Sequence, residues 1–255
     1  MGRDVGAIDL RAMTKALQDT VALVTGASSG IGEATARALA EQGATVAVAA
    51  RRKDRLDALA AEIGGLSVEA DVTDREQAVA AVERAASDLG RLDIVINNAG
   101  VMLLGPIEGA PTDEWRRMID ANVYGVLYCS HAAFPLMREQ GGGQIVNVSS
   151  VAGRVARAGS GVYNLTKFGV GAFSESLRQE GVPHNIRVTL IEPGAVDTEL
   201  AGHNRDVVLE QIKQRFEGVE RLVSEDIARA VLYAIGQPDH VAINEVLVRP
   251  TSQLG

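Results

Sequence analysis

Two residues with complementary chemistry, Tyr163 and Lys167, stand four positions apart in a segment with a helical pattern. This spacing places both side chains on one face of a helix, about one turn apart. A free tyrosine has a pKa of about 10, so work near neutrality requires a preference for the phenolate of roughly 3 to 4 kcal/mol. An ammonium about 4 to 5 Å away supplies a free energy of that size at an effective dielectric near 20. We therefore expect Lys167 to lower the pKa of Tyr163 and to make it a general acid and base.

A glycine-rich stretch, Thr25-Gly-Ala-Ser-Ser-Gly-Ile-Gly32, lies between a predicted strand and a predicted helix. Such a loop directs backbone N–H groups and a helix N-terminus at a pyrophosphate. Its G-x-x-x-G-x-G spacing differs from the common G-x-G-x-x-G fingerprint, so a tight turn that packs the helix on the strand is the alternative. The residues predicted to hold the phosphates are Gly26, Ser28, Ser29, Gly30, Ile31 and Gly32.

The same loop formally matches the nucleophile elbow of serine hydrolases, with Ser28 between Gly26 and Gly30. In that fold the elbow follows several earlier strands and a His-Gly-Gly type oxyanion loop. Here it follows the first recognisable strand, and no such loop precedes it. A hydrolase is therefore the weaker hypothesis.

The acidic residue expected about 20 positions after the glycine loop, to bind the ribose 2′-hydroxyl of NAD, is absent. Ala50 stands in its place and is followed by Arg51 and Arg52. A guanidinium can bind a 2′-phosphate, whereas a carboxylate would repel it. We expect NADP(H) as cofactor, with two solvated arginines at the start of a helix as the alternative.

These stretches, together with Asn97-Asn-Ala-Gly100, Ser150 and Pro193-Gly194, occur in the order typical of one family. The chain resembles the short-chain dehydrogenase/reductase family, collinearly from about residue 21 to 248. The resemblance implies an NADP(H)-dependent oxidoreductase that interconverts a carbonyl and an alcohol. It implies a catalytic set of Asn122, Ser150, Tyr163 and Lys167, in which Ser150 bonds the substrate carbonyl and Asn122 helps to hold a relay water. Lys167 would also bind the nicotinamide ribose.

The resemblance also assigns further cofactor contacts. The first group surrounds the adenosine half, and the second holds the nicotinamide carboxamide. The alternative for the stretch 97–100 is a turn with side-chain caps, and the alternative for Asp71 and Val72 is a bare turn that leads into a helix. The residues are Asp71, Val72, Asn98, Ala99 and Gly100 in the first group, and Pro193, Gly194, Val196 and Thr198 in the second.

The substrate side is predicted from a narrower resemblance. Several segments look closest to the clavulanate-dehydrogenase-like subgroup and to broad hydroxy-acid or alcohol dehydrogenases. This likeness implies a small cyclic or heterocyclic intermediate of secondary metabolism. Substrate contacts are predicted at Ser150, Tyr163, Met102 and Arg154, where Arg154 would receive a substrate carboxylate or, alternatively, be a solvated loop residue. Leu103, Val155 and residues 199–203 are further candidates for the pocket wall.

Alternating short β-branched runs and longer helical patterns must position these residues. Strands are predicted at residues 21–25, 45–49, 67–70, 94–97, 144–149, 187–191 and 245–248. Helices are predicted at residues 31–42, 54–63, 74–89, 112–137, 162–180 and 224–235. Right-handed crossovers then give a single α/β Rossmann-type domain: a doubly wound, parallel, seven-stranded sheet with helices on both faces. We assign residues 1–20 to an N-terminal extension, either a short amphipathic helix or a frayed tail. Residues 21–255 form the domain, with an irregular substrate loop at 197–222.

Composition narrows the partners. The 255 residues carry 33 acidic and 25 basic side chains, a formal net charge of -8 that argues against nucleic acid. The longest apolar run, residues 44–50, is far shorter than the roughly 20 residues of a membrane span. One cysteine cannot form an intrachain disulfide, and no Cys/His cluster has metal-ligand spacing. We expect a cytoplasmic enzyme without a metal.

Two questions stay open at this stage. The same fold could serve as a nonenzymatic NADP sensor, although such a protein could lose Tyr163 or Lys167 without harm. The family resemblance also implies a homodimer or homotetramer, in which the two long helices flanking the catalytic set pair across subunits.

Overall fold

The computed structural model describes residues 17–254, so the predicted N-terminal helix lies almost wholly outside the described residues. Seven parallel strands form one sheet in the order β3-β2-β1-β4-β5-β6-β7. This confirms the predicted fold class. The strands are β1 (Val21–Thr25), β2 (Thr45–Ala50), β3 (Leu66–Glu69), β4 (Ile94–Asn97), β5 (Gly143–Val148), β6 (Ile186–Pro193) and β7 (Glu245–Val248).

Helices cover both faces of the sheet. Because side chains alternate along a strand, Ala22 and Val24 of β1 join one buried cluster while Val21 and Leu23 join the other. Helices α1, α2 and α8 pack on the first face, and α3, α5 and α6 on the second. The helices are α1 (Gly30–Glu41), α2 (Lys53–Ile63), α3 (Arg75–Leu89), α4 (Thr112–Ile119), α5 (Gly125–Glu139), α6 (Gly161–Gly181), α7 (Asp206–Arg215) and α8 (Ser224–Ile235).

The strand order reverses between β1 and β4. From β1 the chain winds outward through β2 to β3, then returns to β4 and winds the other way. The connections after β1 and β4 therefore diverge at the carboxyl ends of the strands and leave a crevice there. In folds of this kind a ligand binds at this switch point.

Two predicted segments differ from the structure. The single helix predicted at 112–137 is divided by a π-helical turn, Asp120–Tyr124, between α4 and α5. The segment 197–222, predicted to be irregular, contains a short 3-10 helix, Glu199–His203, and α7. Helix α7 forms because Val208 and Ile212, four residues apart, are both buried.

Buried amides join the sheet to α6. The Asn97 side chain at the end of β4 donates to Asn147 Oδ1 at 2.8 Å, and Asn147 Nδ2 donates to Ser174 Oγ at 2.8 Å. All three residues are almost fully buried. Since buried polar groups are costly without partners, this chain of bonds fixes α6, and with it Tyr163, relative to the strand ends.

No helix among residues 17–254 is both long enough and apolar enough to cross a membrane.

Candidate active site

A cavity of about 560 Å³ lies at the carboxyl ends of the strands. It runs from the glycine loop, past the end of β5, to the segment that follows β6. Most of the residues predicted for the site line it, whereas Gly32, Leu103, Asn122, Arg154 and Gly202 do not. The lining includes Gly26, Ser28, Ser29, Gly30, Ile31, Arg51, Arg52, Asp71, Val72, Asn98, Ala99, Gly100, Met102, Ser150, Val155, Tyr163, Lys167, Pro193, Gly194, Val196, Thr198, Glu199 and His203.

The glycine loop has a geometry that only glycine tolerates. Gly26 and Gly30 have φ of +65° and +59°, in the left-handed region. A Cβ on Gly32 would lie 2.5 Å from the carbonyl oxygen of Gly26. Ser29 precedes α1 without capping it, so the first N–H groups of this helix have no side-chain acceptor from that residue. The close turn and the uncapped helix end fit a pyrophosphate.

Thr25 and Asn98 hold this loop against the end of β4. Thr25 Oγ1 accepts from the backbone N–H groups of Asn98 and Ala99, at 3.0 and 3.2 Å. Asn98 Nδ2 donates to the carbonyl oxygens of Thr25 and Gly26, at 3.0 and 3.3 Å. The Asn98 side-chain amide therefore donates to the glycine loop and holds it in place, and it does not direct these donors into the cavity.

Tyr163 and Ser150 meet on the cavity wall. Ser150 follows Ser149 after β5 and starts a short 3-10 helix, whose Ala152 N–H donates to Ser150 Oγ at 3.1 Å. Ser150 Oγ donates to the carbonyl oxygen of Pro193 at 3.4 Å, and a hydrogen bond with Ser150 is one influence on the pKa of Tyr163. Neighbouring Ser149 donates to the carbonyl oxygen of Lys167 at 3.0 Å and is buried. The two adjacent serines therefore have different partners, and Ser150 is the one that interacts with Tyr163.

Lys167 lies beneath Tyr163. Its ammonium donates to the carbonyl oxygen of Val148, at the end of β5, at 2.9 Å. Lys167 Nζ is 5.8 Å from the centroid of the Tyr163 ring. Both side chains are buried, yet both line the cavity.

The pKa values of this pair differ from the sequence-based expectation. Burial raises the pKa of Tyr163 to about 12, and the bond from Ser150 offsets only part of this rise. Burial also lowers the pKa of Lys167 to about 8. The prediction that Lys167 by itself lowers the pKa of Tyr163 is therefore wrong for the polypeptide, because removal of both groups from water outweighs their attraction.

Asn122 sits in the π-helical turn, and its side chain is fully engaged. Asn122 Oδ1 accepts from Val101 N at 2.8 Å, and its Nδ2 donates to Val101 O at 2.9 Å and to Thr166 Oγ1 at 3.1 Å. Thr166 in turn donates to the carbonyl oxygen of Tyr163 at 2.8 Å. Asn122 thereby joins the loop after β4 to α6. Nothing in the sequence indicated that Thr166 takes part in this link.

The two arginines after β2 differ in their contacts. Arg51 is 69% exposed and lies 3.8 Å from a carboxylate oxygen of Asp71. Arg52 donates to Ser28 Oγ at 3.0 Å and to Ser29 Oγ at 2.7 Å, both in the glycine loop. Its third contact is the Glu199 carboxylate, at 2.8 Å.

The prediction that Arg154 receives a substrate carboxylate is not met by the structure. Its guanidinium forms a bidentate pair with Glu192, at 2.6 to 2.8 Å, and also bonds Glu245. Glu192 is 1% exposed. A buried carboxylate requires a paired cation, and this requirement holds Arg154 away from the cavity.

Arg157 is a cavity residue that sequence reasoning missed. It is half-buried, and its backbone N–H donates to Asn164 Oδ1 at 3.1 Å. Asn164 Nδ2 donates to the carbonyl oxygens of Ala152 and Val155, at 2.7 and 3.0 Å. The position of Asn164 directly after Tyr163 was the available signal, since a buried amide there can organise the loop that precedes the helix.

Asn204 anchors the segment after β6 and was likewise missed. It is buried, accepts from Leu104 N at 2.7 Å and donates to Met102 O at 2.9 Å. The segment that carries the 3-10 helix is therefore fastened to the loop after β4, which also contributes to the cavity wall.

Comparison with known proteins places this geometry in a family. The sequence model described as short chain dehydrogenase matches residues 20–223. The chain belongs to this family. An uncharacterised oxidoreductase of Staphylococcus saprophyticus is 45% identical over 243 residues, which cover 93% of this chain and 98% of the relative. The chain is an oxidoreductase of the short-chain dehydrogenase family, whose members use nicotinamide cofactors and act on alcohols or carbonyls.

Solved structures of the family show the same fold. A serine dehydrogenase complexed with NADP+, in its closed form, is 34% identical with a TM-score of 0.86, covering 92% of this chain and 96% of that one. An alcohol dehydrogenase from the archaeon Thermococcus sibiricus, complexed with 5-hydroxy-NADP, is 30% identical with a TM-score of 0.82. That match covers 92% of this chain and 98% of the archaeal one.

The buried Glu192 predicts a structural role for Arg154. Arg154→Ala should lower the free energy of unfolding at pH 7 by about 1 to 3 kcal/mol, because it leaves a buried carboxylate unpaired. Urea denaturation measures this change. Adding Glu192→Gln should recover part of the loss, and Arg229→Ala, which removes an exposed pair with Asp226, should have little effect. A raised KM without any loss of stability in Arg154→Ala would instead favour substrate binding.

The lowered pKa of Lys167 predicts a stability that depends on pH. Between about pH 8 and 10.5 the unfolded chain still binds a proton that the folded chain has released, so stability rises with pH. The free energy of unfolding of the native chain relative to Lys167→Met should therefore rise by up to about 3 kcal/mol across this range. The exposed Lys213→Met variant is the control and should show no such trend. If the difference in unfolding free energy between the native chain and Lys167→Met does not change over this pH range, burial does not lower the pKa of Lys167.

Proposed function

We propose that the chain is an NADP(H)-dependent oxidoreductase that reversibly reduces a ketone or aldehyde of a small molecule to an alcohol. One observation carries this proposal: Tyr163 and Ser150 line the same cavity as the glycine loop. The first group can exchange a proton with a carbonyl oxygen, and the second can hold a dinucleotide phosphate beside it.

In the proposed reduction, Tyr163 donates its hydroxyl proton to the carbonyl oxygen while the Ser150 hydroxyl donates a hydrogen bond to the same oxygen. In oxidation the proton returns to Tyr163. A bound nicotinamide would supply the hydride for the substrate carbon, and in its oxidised form it would supply a positive charge that favours a phenolate. Lys167, protonated at neutral pH, adds a second positive charge beneath the Tyr163 ring.

We assign Asn122 a positioning role within this proposal. Its side chain has no polar atom left for a substrate, because Val101 and Thr166 use both ends of the amide. It fixes α6 relative to the cavity wall instead. Any relay of the proton to water would then run past Lys167 and the backbone of the π-helical turn.

NADP(H) is proposed over NAD(H) on the charge at the end of β2. No carboxylate follows β2 directly, and the Arg51 and Arg52 side chains both line the cavity. Two structural relatives, complexed with NADP+ and with 5-hydroxy-NADP, support the same choice.

The alternatives fare less well. As a hydrolase nucleophile Ser28 would need a base, but its oxygen accepts from Arg52, whose guanidinium has only N–H donors and no acceptor for a proton. A nonenzymatic sensor would not require Tyr163 and Ser150 on the wall of the cofactor cavity. We also propose that the protein is cytoplasmic and that it forms a homodimer or homotetramer. The oligomer is supported by Leu165 and Phe168, two apolar side chains of α6 that are 63% and 44% exposed. Sedimentation velocity distinguishes these oligomers from a monomer.

The acid and base role of Tyr163 predicts a selective loss. Tyr163→Phe should lower kcat by about 10²- to 10⁴-fold on a panel of aldehydes and ketones, with NADPH binding retained. Turnover is followed by NADPH absorbance, and binding by NADPH fluorescence. Tyr233→Phe, an exposed tyrosine, is the matched control and should keep full activity. Tight NADPH binding without turnover by the native chain would favour the sensor.

The substrate is proposed to be either the heterocyclic intermediate that the subgroup resemblance implies or a hydroxy acid. One observation favours the acid. Arg157 lines the cavity on the loop between Ser150 and Tyr163, and among the described residues its guanidinium forms no ion pair. A half-buried, unpaired guanidinium is suited to a carboxylate. A structural relative named serine dehydrogenase is in line with this choice.

The position of Arg157 predicts that its replacement changes KM for an acidic substrate but not for a neutral substrate with the same carbon skeleton. Arg157→Met should raise KM about tenfold or more for a β-hydroxy acid, since a charge-assisted bond is lost, and leave the corresponding neutral alcohol nearly unchanged. Initial rates with both substrates measure the split. An equal change for both would show that Arg157 shapes the loop and does not recognise the carboxylate.

A further inference from the structure

Glu199 pairs with Arg52, one of the two arginines to which the proposed function assigns the 2′-phosphate of NADP(H). It starts the 3-10 helix after Thr198, and its two carboxylate oxygens accept from Arg52 Nη1 and Arg55 Nη1, both at 2.8 Å. The two arginines flank the start of α2, directly after β2. The carboxylate therefore joins the adenosine side of the cavity to the segment on its substrate side.

The Arg52 guanidinium has few donors left for another anion. Its Nε and Nη2 are bonded to Ser28 and Ser29, which fix the plane of the guanidinium against the glycine loop. The third nitrogen, Nη1, donates to Glu199. A phosphate that approached Arg52 and Arg55 would meet the same N–H groups that Glu199 already uses.

Charge makes the two anions incompatible at this position. The bonds from Arg55, Arg52 and Ser29 lower the pKa of Glu199 to about 2, so the carboxylate is charged at neutral pH. A 2′-phosphate is also negative, and like charges that share two guanidinium groups repel each other. The ion pairs are half-exposed and thus individually weak, which means that a stronger anion can displace the carboxylate.

We propose that Glu199 is a specificity residue for the cofactor: it occupies the guanidinium groups of Arg52 and Arg55, so that NADP(H) must displace it whereas NAD(H) need not. This rests on the proposed function. Displacement frees the start of the segment after β6, while Asn204 keeps the far end of the 3-10 helix fastened to Met102 and Leu104. Glu199 thus reduces the preference for NADP(H) over NAD(H), which Arg52 and Arg55 would otherwise make stronger.

Calorimetric titration of the full chain with two nucleotides tests this proposal without turnover. Adenosine 2′,5′-bisphosphate carries the 2′-phosphate, and adenosine 5′-monophosphate lacks it. Glu199→Gln should bind the bisphosphate about tenfold more tightly, which corresponds to about 1.4 kcal/mol and to the loss of two exposed ion pairs. Binding of the monophosphate should stay within about twofold.

Glu217→Gln is the control for net charge, because it makes the same change at an exposed position of the same segment. It should leave both affinities unchanged. If the ratio of the bisphosphate affinity to the monophosphate affinity is unchanged or smaller in Glu199→Gln, the role of Glu199 is wrong, whereas the proposed function is unaffected. Failure of the native chain to bind either nucleotide or NADPH would overturn the proposed function, and this inference with it.

Discussion

The arrangement of the site depends on an ammonium group that the fold has removed from water. Lys167 is buried beneath Tyr163, and its bond to the carbonyl oxygen of Val148 ties α6 to the end of β5. An ammonium in such a place is costly unless it has partners, so the neighbouring groups must be held closely. The hydrogen bonds from Asn97 through Asn147 to Ser174 do this about two turns farther along the same face of the helix.

Burial also explains why the polypeptide by itself does not create a reactive phenolate. The same low polarity that lowers the pKa of Lys167 raises that of Tyr163. A tyrosine that stays protonated is ready to donate in the reducing direction, and it requires an added positive charge before it can accept a proton. The reactivity of the proposed acid and base is therefore coupled to what the cavity contains.

The other end of the cavity is organised by close packing and by charge. Gly26 and Gly32 let the loop approach Asn98 and Ala99 more closely than any side chain would permit. Beyond the loop, Arg52 connects the two serines of the glycine loop to Glu199. The glycine loop and the segment after β6 are thus in contact through one carboxylate.

The sequence by itself determined the parallel sheet of seven strands and most of the cavity lining, because alternating periodicities and glycine spacing report local backbone requirements. It did not determine contacts between residues far apart in the chain. Only the tertiary structure placed Arg154 on the buried Glu192, Glu199 on Arg52, and Asn122 between Val101 and Thr166. It also reversed the expected pKa shift of Tyr163, since desolvation depends on every element packed around a group and not on the spacing of two residues.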